Sequence, residues 1–232
     1  MPLILVTGFE PFLGHARNPS ALIAEGLDGT EVAGARVTGL RLPVTYAGAA
    51  PRLLDALERL QPDALLMFGL AYETDAIRPE RLALNLDDAA AADNDGVARR
   101  NRPIDPDGPM GYWSTLPLDA IADRLEAEGY AVKPSRDAGG YICNHLFFQA
   151  RHWLERKGHP VPAGFIHVPP LPDGIKPEDA GRRTGMGLDR QLAAARVIVG
   201  WCRKGWRSAE GPKALVGASV FWGVPEDTDG HG

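Results

Sequence analysis

Short apolar runs recur along this chain and alternate with longer stretches of helical periodicity, and no other feature constrains the fold as much. Residues 3–7 (Leu3-Ile4-Leu5-Val6-Thr7), 64–69, 81–86 and 164–168 are apolar segments of strand length. Between them, residues 19–27, 46–60, 118–128, 144–157 and 188–204 carry apolar positions at helical spacing. Several of these end at Gly or close to Pro, where helices stop. Such alternation predicts an α/β sandwich in which the apolar helix faces cover the sheet. At 232 residues with an ordinary balance of apolar and charged side chains, residues 1–232 read as a single domain.

Within 81–86, Leu82, Leu84 and Leu86 alternate and would share one strand face. The segment 87–112 that follows is rich in Asp, Ala, Gly and Pro, and a loop of that length is uncommon unless it is functional or mobile. After Trp206 another strand-like run, 218–222, precedes a polar tail, 224–232, that is expected to fray.

Net charge excludes some partners. A formal charge of -5 and no block of Lys or Arg argue against a nucleic-acid groove or an anionic membrane surface, and favour small or neutral ligands. The two cysteines, Cys143 and Cys202, lie far apart and do not form the disulfide framework of a small secreted domain, so a reducing compartment is expected. The N-terminus opens directly on a strand-like run without a basic leader, and no apolar run reaches the length of a membrane span. The expected location is the cytoplasm.

Cys143 sits in Gly139-Gly140-Tyr141-Ile142-Cys143-Asn144-His145, a glycine-led turn running into the helix expected from about Asn144. A thiol there feels the positive end of the helix dipole, and the free N–H groups of the first turn can receive an oxyanion. Most free cysteines are small buried hydrophobes. That plainer reading suits Cys202, which lies on the apolar face of 188–204 beside Val199 and Trp201.

A thiol nucleophile needs a base to take and return its proton. Six histidines are available. His167 closes the apolar run Phe165-Ile166-His167-Val168, and sites in open α/β sheets collect at the carboxyl ends of strands. His145, two residues past the cysteine on the same helix, should point elsewhere. His15, His152, His159 and His231 read as solvated side chains. A carboxylate should orient the imidazole; Glu80, Glu73, Asp87 and Asp88 are the candidates, and the spacing alone favours Glu80 only modestly.

Six separated segments then carry a resemblance. They are Thr7-Gly8-Phe9-Glu10-Pro11-Phe12 with Asn18-Pro19-Ser20; Pro79-Glu80-Arg81-Leu82-Ala83-Leu84-Asn85; Pro103-Ile104-Asp105; Tyr112-Trp113-Ser114-Thr115-Leu116-Pro117; Tyr141-Ile142-Cys143-Asn144-His145; and Phe165-Ile166-His167-Val168-Pro169. In this order they resemble the pyroglutamyl peptidase I (pyrrolidone carboxyl peptidase) family of cysteine peptidases, over residues 3 to about 200. The resemblance implies a three-layer α/β/α sandwich around a mostly parallel twisted sheet, no metal or organic cofactor, and assembly into homodimers or homotetramers. It also implies a catalytic triad of Glu80, Cys143 and His167 and removal of N-terminal pyroglutamate from peptides. A pyroglutamyl residue is a neutral lactam, so its pocket needs flat apolar walls and amide partners. The family pattern puts Phe9 and Phe12 on either side of the lactam, with Asn18, Tyr141 and Ile142 lining the same pocket. From the residues alone, Phe9 and Phe12 would more simply cap the core after the first strand.

Two stretches depart from the family pattern. Tyr72, Glu73 and Thr74 stand where the family carries Gly-Gly-Arg, and Leu70 where Gln is frequent; two flexible positions and a cation are lost. Ala90 stands where the family has an arginine thought to help near the oxyanion, and Arg99 and Arg100 are candidates to replace it. These changes raise two alternatives: a divergent amidase or peptidase of the same fold, and an inactive binding homologue. A nucleoside phosphorylase or other doubly wound ligand binder fits less well, for lack of a glycine-rich phosphate loop.

Overall fold

The computed structural model describes residues 1–208, with side chains as far as Trp201. Eight strands form one mixed sheet: β1 (Leu3–Phe9), β2 (Glu31–Val32), β3 (Ala35–Leu42), β4 (Ala64–Leu70), β5 (Arg78–Leu84), β6 (Gly111–Trp113), β7 (Ser135–Asp137) and β8 (Ala163–Val168). The strand order is β2-β3-β1-β4-β8-β5-β6, with β7 also paired to β5. Its centre, β3-β1-β4-β8, is parallel, whereas β2, β6 and the β5–β8 pair are antiparallel.

Five helices cover the two faces: α1 (Pro19–Leu27), α2 (Ala49–Leu60), α3 (Leu118–Ala127), α4 (Ile142–Arg156) and α5 (Leu188–Ser208). Strand alternation divides the core. Ile4, Val6, Leu66, Phe68, Ile166 and Val168 face α1, α3 and α5, while Leu5, Leu65, Met67 and Phe165 face α2 and α4. Every residue of β4 and β8 is buried, as strands covered on both sides require, which explains the unbroken apolar sequence of β4 and, apart from His167, that of β8. The layers are those of an α/β/α sandwich. No helix among the described residues is long and apolar enough to cross a membrane.

The differences from the sequence reading have local causes. β3 was hidden because its apolar residues are interrupted by Arg36, Gly39 and Arg41; Gly39 lets α1 approach so closely that a Cβ there would lie 2.1 Å from the Ala24 carbonyl oxygen. β5 starts at Arg78 rather than at residue 81, since Pro79 occupies a strand position opposite Ile166. α2 starts at Ala49 instead of 46: Thr45 accepts the Gly48 N–H and keeps the chain in a turn. α4 begins two residues earlier than expected, with Tyr141 at its N-cap, so Cys143 lies inside the first turn. The expected strand 218–222, the tail 224–232 and the Cys202 side chain lie outside the described residues.

Segment 87–110 holds no helix or strand, yet it is heavily tied down. Asp87 and Arg102 exchange backbone hydrogen bonds, Ala89 N donates to the Arg99 carbonyl, and Asp93 N donates to the Val97 carbonyl while the Asp93 carboxylate accepts from Val97 N. Asp93 also accepts from Tyr46 N, and Asn94 donates to Glu10 and to the Pro11 carbonyl. Two histidines one heptad apart on α4 hold the segment near its ends: buried His145 meets Asp87 at 3.0 Å, and His152 meets Asp105 at 3.1 Å. His152, read from sequence as solvated, is instead packed between Phe148 and Tyr112, whose hydroxyl lies 2.7 Å from its Nδ1. His159 likewise stacks on Trp153.

Candidate active site

The carboxyl ends of β1, β4 and β8 share one edge of the parallel sheet, and β5 runs the opposite way, so its amino end reaches that same edge. His167 near the end of β8 therefore lies opposite Arg78, and Glu80 sits opposite Phe165. Glu80 is fully buried, and its Oε1 lies 2.8 Å from His167 Nδ1. With Nδ1 engaged, Nε2 remains for Cys143, which arrives from α4. Burial alone disfavours the imidazolium, but interaction with Cys143 and with the Glu80 carboxylate outweighs it, and His167 is pushed up to about 9.

Several contacts place the cysteine. Asn144, the next residue, accepts from Leu84 N and donates to the Leu84 and Leu86 carbonyls, joining the start of α4 to the end of β5. Gly140 passes so close to the 87–110 segment that a Cβ would meet the Asp88 carbonyl oxygen at 2.4 Å; its own carbonyl accepts the Asp88 N–H. Gly69, in register with His167, leaves room for the sulfur: a Cβ there would stand 3.0 Å from Cys143 Sγ. The first backbone hydrogen bond of α4 runs from His145 N to Tyr141 O, so the Ile142, Cys143 and Asn144 N–H groups precede the helical ladder and are available as anion donors.

Two spaces open beside Cys143. One is a narrow apolar cleft of about 10 Å³ lined by Phe9, Phe12, Asn18, Val44, Leu70, Tyr141 and Ile142. It holds roughly one water-sized sphere. Phe9 is buried against Phe165, while Phe12 is half-buried and stacks on Tyr141. Asn18 caps α1: its Oδ1 accepts from Ser20 N and Oγ, and its Nδ2 donates to the Glu10 carbonyl, which leaves one N–H of the amide unused. Tyr141 donates to the Ala92 carbonyl, and burial, then Asp93 and Cys143, push its phenol up to about 12.

The second space, of about 650 Å³, extends outward past His167 to Tyr72, Glu73, Arg78, Arg136 and Asp137. Tyr72 forms its far wall. Its hydroxyl donates to Asp179 and accepts from Lys176 N, which pins the 172–184 strap, and its ring lies against His15. His15, read from sequence as solvated, lines this cleft; burial and Lys176 lower its pKa.

Of the other carboxylates considered, Asp87 pairs with His145 and Arg99, Asp88 accepts from Asn101 N, and Glu73 is exposed on the outer cleft. Arg99 turns away onto Asp87 and the face of Tyr46, and Arg100 is exposed away from the cleft, so neither supplies the cation absent at Ala90. The cation that reaches the Glu80–His167 pair is Arg78, whose Nε lies 3.7 Å from Glu80 Oε1. Its position two residues before Glu80 on one strand face was readable, but only once β5 was known to start at residue 78.

Known proteins match both the chain and this arrangement of elements. The sequence profile of the pyroglutamyl peptidase family matches residues 3–203. The chain belongs to the pyroglutamyl peptidase family. Membership makes it a hydrolase of the cysteine peptidase class. A pyrrolidone-carboxylate peptidase of Pyrococcus furiosus is 42% identical over 198 residues, covering 84% of this chain and 95% of the relative. One from Gloeobacter violaceus is 43% identical over 170 residues, covering 73% and 82%. The solved pyrrolidone carboxyl peptidase of Thermococcus litoralis superposes with a TM-score of 0.86 at 36% identity, covering 89% of this chain and 96% of that one.

Proposed function

We propose that this family member removes an N-terminal pyroglutamyl residue from peptides through Cys143, His167 and Glu80. One observation carries the reading: the Cys143 thiol, paired with a His167 imidazole whose Nδ1 is bound to Glu80, borders an apolar slot that contains no acid. A lactam has no ammonium to neutralise, so a slot walled by Phe9, Phe12, Tyr141 and Ile142 suits it. The spare Asn18 N–H supplies an amide partner for the lactam carbonyl. Because the slot is narrow, the lactam must widen it, and Phe12, half-buried beside exposed Leu13 while Phe9, Val44, Leu70 and Ile142 are buried, is a wall that borders solvent.

Chemically, the Cys143 thiolate attacks the scissile carbonyl carbon, and the oxygen takes up the charge against the first-turn N–H groups of α4. His167 gives its proton to the leaving amine as the carbon–nitrogen bond breaks, which leaves a thioester. A water then loses its proton to His167, attacks the thioester and releases pyroglutamate with the thiol regenerated. Glu80 keeps Nδ1 protonated and supports the imidazolium throughout. The departing peptide lies in the outer cleft.

The test is hydrolysis of a fluorogenic pyroglutamyl amide beside a matching prolyl amide. Cys143-dependent release from the pyroglutamyl substrate alone is expected, with Cys143→Ala inactive but folded. Release undiminished in Cys143→Ala would remove the mechanism. A reactive Cys143 with no release would redirect the search to another small amide that fits Tyr72 and Glu73.

A further inference from the structure

Arg78 and Glu80 stand one above the other on the same face of β5, and both carry an unsatisfied buried atom. Glu80 Oε1 is bound to His167, but Glu80 Oε2 has no hydrogen-bond partner, and neither has Arg78 Nε. Arg78 Nε lies 3.7 Å from Glu80 Oε1, beyond hydrogen-bond length but in ion-pair range. The other end of the guanidinium is anchored, with Nη2 donating to Ser135 Oγ at 2.7 Å. Ser135 in turn is the β7 partner of Glu80 in the sheet register.

A carboxylate with no solvent exposure and one hydrogen bond is a costly group to bury without a compensating charge. Around Glu80 the titratable and charged groups are His167 from β8, Cys143 from α4 and Arg78 on its own strand. On β7, Arg136 and Asp137 pair with each other at 2.8 Å. The proton on His167 moves during turnover, so His167 cannot neutralise Glu80 at every stage. Arg78 can, since a guanidinium keeps its charge at all working pH values.

We infer that Arg78 is a positioning residue that acts through Glu80: its fixed charge, braced by Ser135, faces the buried carboxylate and compensates its charge, so that the carboxylate can orient and support His167. This rests on the triad proposed above. It assigns Arg78 no contact with substrate.

The experiment compares wild type, Arg78→Gln and Arg78→Lys by kcat/KM for a pyroglutamyl amide across pH 5–10. The same proteins are followed by the rate of Cys143 alkylation with iodoacetamide, which reads the thiol–imidazole pair without any substrate. In Arg78→Gln the acid limb of both profiles should move up by about one pH unit, so that activity falls about tenfold at the acid end and much less near pH 8. Arg78→Lys should restore most of the limb. Should Arg78→Gln not fold, Ser135→Ala, which frees the guanidinium from its brace, should move the limb in the same direction by a smaller amount. A uniform loss at all pH values, an unmoved limb, or no rescue by Lys would overturn the inference. An alkylation limb that moves in a protein inert toward pyroglutamyl amides would uphold it and reject the substrate instead.

Discussion

Gly69 offers a sharp test of how the site is packed, because the perturbation is a single methyl group. The residue is not left-handed, so alanine can adopt its backbone and the only cost is steric. An added Cβ would lie 2.7 and 2.9 Å from Cζ and Cε1 of Phe165 and 3.0 Å from Cys143 Sγ. Ordinary carbon contacts are about 3.5–4.0 Å, so a neighbour must retreat by roughly 0.5–1 Å. Phe165 has no free direction: it is fully buried with Phe9, Phe147 and His167 around its ring. The strain therefore divides between the core and the sulfur. Overpacking of this kind costs about 1–3 kcal/mol, which in a chain of this size lowers Tm by about 3–10 °C. A sulfur displaced by several tenths of an ångström from His167 should lower kcat by about ten- to a hundredfold, with KM little changed. Calorimetry and steady-state kinetics on Gly69→Ala read both effects. Wild-type kcat together with an unchanged Tm would refute the packing argument.

Four further outcomes are expected. Because His167 is raised to about 9, kcat/KM should fall as pH rises through about 9, where the imidazolium that protonates the leaving amine is lost; an alkaline limb near the free-histidine value of about 6.5 would contradict this. The same shift makes the stabilising contribution of His167 complete below about 6.5 and lost as pH rises through about 9, which the pH dependence of the urea midpoint will reveal. Phe12→Ala removes one wall of the apolar slot and should raise KM for a pyroglutamyl amide about tenfold while changing kcat less; an unchanged KM would remove Phe12 from the pocket. Asp87→Asn leaves Arg99 and His145 without their buried carboxylate and should cost about 2–3 kcal/mol in urea unfolding, whereas a change below about 0.5 kcal/mol would mean the segment 87–110 is held mainly by its backbone bonds.

Much of this protein was legible in its sequence because the relevant information is local. The five α-helices of the described residues were readable from spacing and stops, and β4 and β8 from apolar runs that both faces of the sheet bury. The Gly-Gly turn into α4 marked Cys143, and the end of a strand marked His167. Those features depend on residues a few positions apart, which is the range over which periodicity and capping operate.

What only the tertiary structure decided depends on pairings across long stretches of chain. β5 lies antiparallel to β8, and that choice, invisible in either strand's own sequence, brings Arg78 and Glu80 to the end of the sheet where His167 stands. Eighty-seven residues separate Glu80 from His167, and 58 separate Asp87 from His145. A sequence pattern says that Asp87 and Glu80 are carboxylates near strand ends; it does not say which imidazole each meets. Likewise Gly69, an unremarked glycine in an apolar run, makes room for a sulfur 74 positions later only because β4 passes beneath the first turn of α4. Local sequence sets which element forms, since backbone preference and amphipathic spacing act within one turn or strand. Partnership between elements is set by the joint burial of their faces, so it becomes visible only when the whole core is assembled.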